Sequence, residues 1–140
     1  QSSRAAAICL GFFTLIAWET GLQGHQMLAR GTSAYDIAMQ VKPMLRPDIP
    51  FYSVGGYEQT LTFYLQRTVT LVGYRDEFGF GQDQEPQRTI AAIPEFKARW
   101  IADKEAFAFM SPEVFKILQG DRLPMRVVAK DTQRIIVSKP

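Results

Sequence analysis

Three features of the 140-residue sequence predict an α/β layered fold with a mostly parallel sheet, helices on its faces and a C-terminal antiparallel hairpin. Residues 51–74 read as strand, glycine turn, helix and strand, the pattern of a βαβ unit. Apolar β-rich runs then alternate with helical segments as far as Gly120. Finally, the runs 125–130 and 134–138 are separated only by Asp131, Thr132 and Gln133. That is too short for a crossover helix, so these two strands are expected to pair antiparallel.

The elements follow in order. Ser33, with Asp36 three residues on, reads as the N-cap of a helix carrying Ile37, Ala38, Val41 and then Leu45 on one face. Pro43, Pro47 and Pro50 stop it. Phe51-Tyr52-Ser53-Val54 is an apolar strand ending at Gly55-Gly56, and residues 57–67 follow with Leu61, Tyr64 and Leu65 at helical spacing. Residues 68–74 are rich in β-branched side chains and read as the next strand. Residues 75–93 show no period and read as a long loop, a contact surface or a solvated excursion. Pro94 opens a helix with Phe96 and Trp100 one turn apart, residues 106–110 form a buried strand, and Ser111-Pro112 caps a last helix ending near Gly120. The expected core is Phe51, Leu61, Leu65, Val69, Leu71, Phe96, Trp100, Phe107, Phe109, Phe115, Val127 and Ile136.

Charge divides the chain unevenly: residues 1–47 carry six charged side chains and residues 48–140 carry 24. Residues 5–18 carry none, and as a helix they would span roughly 21 Å at about 1.5 Å per residue. A bilayer core of roughly 30 Å is reached by reading on to Gln23, with Trp18 at the interface. A buried core helix and a signal peptide compete with the end of a transmembrane helix, although no small-residue cleavage site follows Trp18. A start at Gln1 without methionine favours a piece of a longer polypeptide. The expected division is therefore an apolar segment over residues 1–23 and a soluble α/β domain over residues 24–140. Arg4, on the N-terminal side of the apolar run, places that domain outside the cytoplasm.

A net charge of +2, from 16 Lys+Arg against 14 Asp+Glu, is too small for a protein that neutralises many phosphates, so no nucleic-acid partner is expected. Single Cys9 and His25 residues exclude an internal disulfide, a CxxC pair and a zinc site built from Cys and His alone. His25 lies outside the βαβ pattern, and Cys9 has no cation near it in sequence. The Gly55-Gly56 turn invites anion or sugar contact at a helix start, or is simply a tight turn; G-x-G-x-x-G and G-K-[ST] are absent. Asp76, Glu77, Asp83 and Glu85 lack calcium-loop spacing and read as solvated charge. In the same segment Phe78 and Phe80 either form an acceptor-facing rim, leaving at least one ring accessible, or pin the loop with both rings buried. Arg67, at a helix end, is positioned to complement the helix dipole and to hold a loop carboxylate such as Glu77. Arg122, Arg126, Lys130, Arg134 and Lys139 either protect an edge strand or touch anionic headgroups.

Tyr57-x-Gln59-Thr60-Leu61-x-Phe63-Tyr64-Leu65-x-Arg67, the β-rich run after it, Asp76-Glu77-Phe78-x-Phe80-Gly81 and Phe96-x-x-x-Trp100 together resemble a known family. They are similar to the C-terminal extracytoplasmic domain of bacterial protein-mannosyltransferase-like membrane glycosyltransferases, above all the aminoarabinose transferases that modify lipid A. The likeness covers about residues 30–140. It implies a multi-spanning inner-membrane enzyme that moves a sugar from a polyprenyl-phosphate carrier to an acceptor such as lipid A or protein. The domain would face the periplasm or exterior, with the transmembrane part of the same polypeptide, the membrane surface and a lipid-linked acceptor as partners. The family's catalytic carboxylates lie in an early loop outside this sequence. No catalytic residue, metal ligand or cofactor is therefore expected here, and the chain alone is expected to be inactive. Substrate contact is expected from Gly55, Gly56, Arg67, Glu77, Phe78 and Phe80. A free-standing periplasmic module binding an anion or sugar at Gly55-Gly56 is the alternative.

Overall fold

The structure, a computed structural model, describes residues 2–75 and 79–140. The chain divides into two units, Gln1–Ser33 and Ala34–Pro140. The first holds a single helix, α1 (Ser2–Thr32), whose stretch Ser3–His25 is long and apolar enough to cross a membrane, with none of that stretch buried. Cys9 lies on it as an exposed free thiol. The helix runs on past Gln23, the expected limit of the apolar segment, to Thr32.

The second unit is a six-stranded sheet in the order β3-β2-β1-β4-β6-β5. Strands β1 (Phe51–Val54), β2 (Thr70–Val72), β3 (Thr89–Ile90) and β4 (Phe107–Met110) are mutually parallel where they pair. Strands β5 (Arg126–Lys130) and β6 (Ile135–Ser138) close the sheet as the expected antiparallel hairpin, with β6 against β4. Central β1 and β4 are buried at every position, because both sheet faces are covered there. On one face Tyr52, Val54, Val72, Ala108, Met110 and Val137 meet Phe96 and Trp100 of α5 (Ile93–Ala102) and Leu118 of α6 (Pro112–Gly120). On the other, Phe51, Phe107, Phe109 and Ile136 meet Ile37, Ala38 and Val41 of α2 (Tyr35–Val41) and Leu61 and Leu65 of α3 (Gln59–Leu65).

Helix boundaries follow their caps. Ser111 accepts from the Val114 N–H and starts α6 with Pro112 in its first turn, as the sequence predicts. Ala34 is the N-cap of α2, one residue after the expected Ser33, and its N–H donates to Thr60 Oγ1 at 3.0 Å. The helix expected over residues 57–67 is shorter, because the Glu58 carboxylate caps it by accepting from Thr60 N–H and Gln66 ends it in the left-handed conformation at φ 52°. The expected loop over residues 75–93 holds short helix α4 (Gly79–Gln84), a 3-10 turn (Pro86–Arg88) and β3. A helix of sequence GFGQDQ has no apolar stripe, and a two-residue strand is too short to show a period. Val127, assigned to the core, is 41% exposed: β5 is the sheet edge, and an irregularity between Val127 and Ala129 turns Ala129 inward instead.

Tyr52 reports on the α5 side of the core. Its ring packs edge-on to Phe96 at 5.3 Å and its hydroxyl donates to Asp103 Oδ2 at 2.7 Å. Burial pushes the phenol pKa up from its ordinary value, and the hydrogen bond to Asp103 adds to the rise. The folded state therefore keeps this proton at pH values where the unfolded chain, with an ordinary value of about 10, has lost it. Folded protein then binds more protons than unfolded, so this contribution to stability is complete below about pH 10 and is lost as pH rises beyond it. Urea midpoints of wild type and Tyr52→Phe, measured from pH 8 upward, should show the wild-type advantage constant and then narrowing above about pH 10.

Candidate functional site

On the α2–α3 face, β2 and β3 present Leu71 and Thr89, which are register partners. The α3 side chains Leu61 and Leu65 cover the neighbouring Phe51, but α3 is only seven residues long and leaves the β2–β3 end beside a cleft of about 830 Å³. That is the size of a small-molecule site. One side is formed by Tyr57, Thr62, Phe63, Gln66 and the run Arg67, Thr68 and Val69; the other by Gly81, Gln82 and Gln84 of α4 with Glu85 and Arg88.

The lining is rich in neutral hydrogen-bonding groups. Its two outer charges neutralise each other, since Arg88 Nε donates to Glu85 Oε2 at 2.9 Å. Gln82 is 8% exposed; its Nε2 donates to the Tyr74 carbonyl at 2.7 Å and its Oε1 has no partner among the described residues. Arg67 donates Nη2 to the Ile49 carbonyl at 2.5 Å and Nη1 to the Arg46 carbonyl at 3.4 Å, with its guanidinium 5.6 Å from the centre of the Phe51 ring. Desolvation pulls its pKa down from the ordinary value, and its enclosed Nε lacks a partner among the described residues. Phe63 is 73% exposed, off the stripe that buries Leu61 and Leu65. Tyr57 and Thr62 join their hydroxyls at 3.1 Å.

The base of α3 is fixed from the far end of the chain. Arg134, 4% exposed, donates Nε to Glu58 Oε2 at 2.8 Å and Nη1 to Asp131 Oδ2 at 3.1 Å. Burial alone would lower the Arg134 pKa, but the hydrogen bonds and charges of Glu58 and Asp131 outweigh it and leave the value raised. The C-terminal basic run is thus divided. Arg126 and Lys130 are exposed on edge strand β5, whereas Arg134 is internal and Lys139 donates to the carbonyls of Ile101 and Asp103.

Of the residues singled out by sequence, Arg67 lines the cleft and donates to two backbone carbonyls. Phe80 is 81% exposed on α4, beside the lining residue Gly81, so its ring does not pin the segment to the core. Glu77 and Phe78 lie outside the described residues. Gly55 and Gly56 sit elsewhere, at the carboxyl end of β1, where the strand order reverses between β1 and β4 and open α/β sheets commonly bind ligands. There the turn's groups are committed internally: Gly55 N–H donates to the Val72 carbonyl at 2.8 Å and Ser53 Oγ donates to the Gly56 carbonyl at 2.6 Å. Gly55 has φ +74°, and a Cβ on it would stand 3.2 Å from Val114 Cγ2. Gly55→Ala should therefore cost about 1–2 kcal/mol by urea unfolding, whereas Gly56→Ala, with open space around its Cβ, should cost less.

Sequence reasoning missed Phe63, Gln66, Thr68, Gln82, Gln84 and Thr89 as cleft residues. Phe63 carried a signal, an aromatic ring off the apolar stripe of its helix; the neutral polar residues carried none. Among the described residues, no group of three or more His, Cys, Asp or Glu is placed to hold a metal.

A mostly parallel sheet with a side cleft, in a chain that also carries an apolar helix long enough to cross a membrane, is the form of an α/β domain attached to a membrane segment. A model of the aminoarabinose transferase C-terminal domain matches residues 37–139, and the chain belongs to that family. The crystal structure of ArnT from Cupriavidus metallidurans bound to undecaprenyl phosphate superposes with a TM-score of 0.77 at 38% identity, covering 82% of this chain and 21% of that one. The same protein in its apo state gives a TM-score of 0.76 at the same identity and coverage. The chain thus corresponds to about one fifth of that transferase. No curated protein sequence matches it.

Proposed function

We propose that this chain is the C-terminal, extracytoplasmic part of an integral-membrane glycosyltransferase that moves a sugar from a polyprenyl-phosphate carrier to an acceptor such as lipid A. The observation that carries this reading is the 38% identity over 82% of the chain to ArnT, a structure of which is described as bound to undecaprenyl phosphate. Helix α1 supplies the membrane attachment, and the unit Ala34–Pro140 faces the periplasm as an accessory domain. Catalysis belongs to the remainder of the polypeptide; this domain shapes the acceptor side, with Arg67, the cleft and exposed Phe80 nearest to that role.

Two measurements test this. Deleting residues 1–18, none of which belongs to either core cluster, should leave a soluble domain that unfolds in one cooperative step. A large fall in melting temperature would instead make the apolar helix part of the fold. In membranes containing the complete polypeptide, removing the residues after α1 should abolish transfer to the acceptor while the lipid-linked donor still binds. Unchanged transfer would overturn the accessory role.

A further inference from the structure

We propose that the side cleft between α3, the β2–β3 end of the sheet and α4 is a saccharide-binding site, holding a hydroxyl-rich sugar against the exposed face of Phe63. The source of that sugar, an acceptor headgroup, rests on the function proposed above; the binding does not.

The lining favours a saccharide over other ligand classes. An anion is poorly served, because Arg88 is paired with Glu85 and the Arg67 guanidinium is turned to the Ile49 and Arg46 carbonyls with its Nε enclosed. A metal ion needs several hard ligands, and Glu85 is the sole carboxylate in the lining among the described residues. An acyl chain would find apolar surface at Tyr57, Phe63, Val69 and Leu71, but it would cover the amides of Gln66, Gln82 and Gln84 and the hydroxyls of Thr68 and Thr89 without giving them hydrogen-bond partners. What remains is Gln66, Thr68, Gln82, Gln84 and Thr89, groups that both donate and accept hydrogen bonds, beside Tyr57 and the exposed face of Phe63. Sugar hydroxyls likewise donate and accept, and the C–H face of a pyranose packs on an aromatic ring.

Two unfilled valences strengthen the match. Gln82 is held at one end by the Tyr74 carbonyl, and among the described residues its enclosed Oε1 has no donor and Arg67 Nε–H has no acceptor. Buried polar atoms in native folds nearly always find partners. A small turn about the soft last torsion of Gln82 brings its oxygen toward the cleft, where a sugar hydroxyl supplies the donor. The volume of about 830 Å³ and the one-sided support of α3 leave room for more than one ring.

The test is an amide NMR titration of the 140-residue chain in dodecylphosphocholine micelles, which carry no sugar, with glucosamine, chitobiose and maltose as probes. At least one sugar should give saturable shifts at Gln66, Thr68, Gln82 and Thr89. Phe63→Ala, an exposed position that leaves the fold intact, should weaken that binding about fivefold, and Phe63→Tyr should restore it. Gln82→Met keeps the side-chain volume and should also weaken binding. The proposal is overturned if none of the probes gives saturable shifts there, if Phe63→Ala binds as wild type does, or if cleft shifts follow detergent concentration alone. Absent binding alongside loss of transfer on deleting the domain would remove the cleft assignment and leave the proposed function standing. Sugar binding with transfer unaffected by that deletion would do the reverse.

Discussion

Replacing Arg134 by methionine should destabilise the domain by about 3 kcal/mol, the low end of what breaking a buried ion pair costs. Its side chain is 5% exposed and sits between two carboxylates, Glu58 at 21% and Asp131 at 30%. Methionine fills similar space but strands both anions, and the desolvation they suffered for the guanidinium is then uncompensated. The effect is structural as well as energetic. Glu58 caps α3 through Thr60 N–H, and Asp131 Oδ1 accepts from the Gln133 and Arg134 N–H groups in the hairpin turn, so one cation ties the start of α3 to the end of the sheet. Urea unfolding measures the loss, and hydrogen exchange should show the amides of α3 opening before those of α5. Adding Glu58→Gln and Asp131→Asn to Arg134→Met removes the stranded charges and should recover much of the stability. A loss below about 0.5 kcal/mol in the single variant would mean that the group behaves as an exposed surface pair.

That triad also shows what the sequence could disclose. Glu58 and Arg134 are 76 positions apart, and no local pattern links them; a C-terminal arginine among other basic residues reads as edge protection. Elements with local causes were legible: β1 as four apolar residues before a glycine, α6 from Ser111-Pro112, α5 from Phe96 and Trp100 one turn apart, and the hairpin from its three-residue connection. Elements whose cause is tertiary were not. Strand β3 exists because Leu71 and Val72 offer it an edge, and α4 because Gln82 is anchored to Tyr74. The cleft was half legible. Arg67 stood out by its charge, while Gln66, Gln82 and Thr89 acquire meaning only when β2–β3 pairing sets them around one space.

Arg67→Ala should cost about 2–3 kcal/mol and should do so without any ligand present. Its Nη2 donates to the Ile49 carbonyl, its Nη1 reaches the Arg46 carbonyl, and its guanidinium lies over Phe51, so it clamps the turn that leads into β1. Hydrogen bonds from a charged donor contribute roughly 1.5–3 kcal/mol, and a cation over an aromatic ring roughly 0.5–1 kcal/mol more at a partly exposed site. Arg67→Lys should recover little, because an ammonium is a point donor and cannot span two carbonyls from one planar fork. The measurement that separates this role from direct ligand contact is stability set against saccharide affinity in the same variants. A clamp predicts that Arg67→Ala lowers the urea midpoint, and that affinity measured well below that midpoint falls by less than it does for Phe63→Ala. Wild-type stability combined with lost affinity would assign Arg67 to the ligand instead. The fold itself favours the clamp: Phe51, beneath the guanidinium, stacks on Phe107 at 6.3 Å in the centre of the sheet, so loosening Arg67 disturbs the strand pair on which every other strand depends.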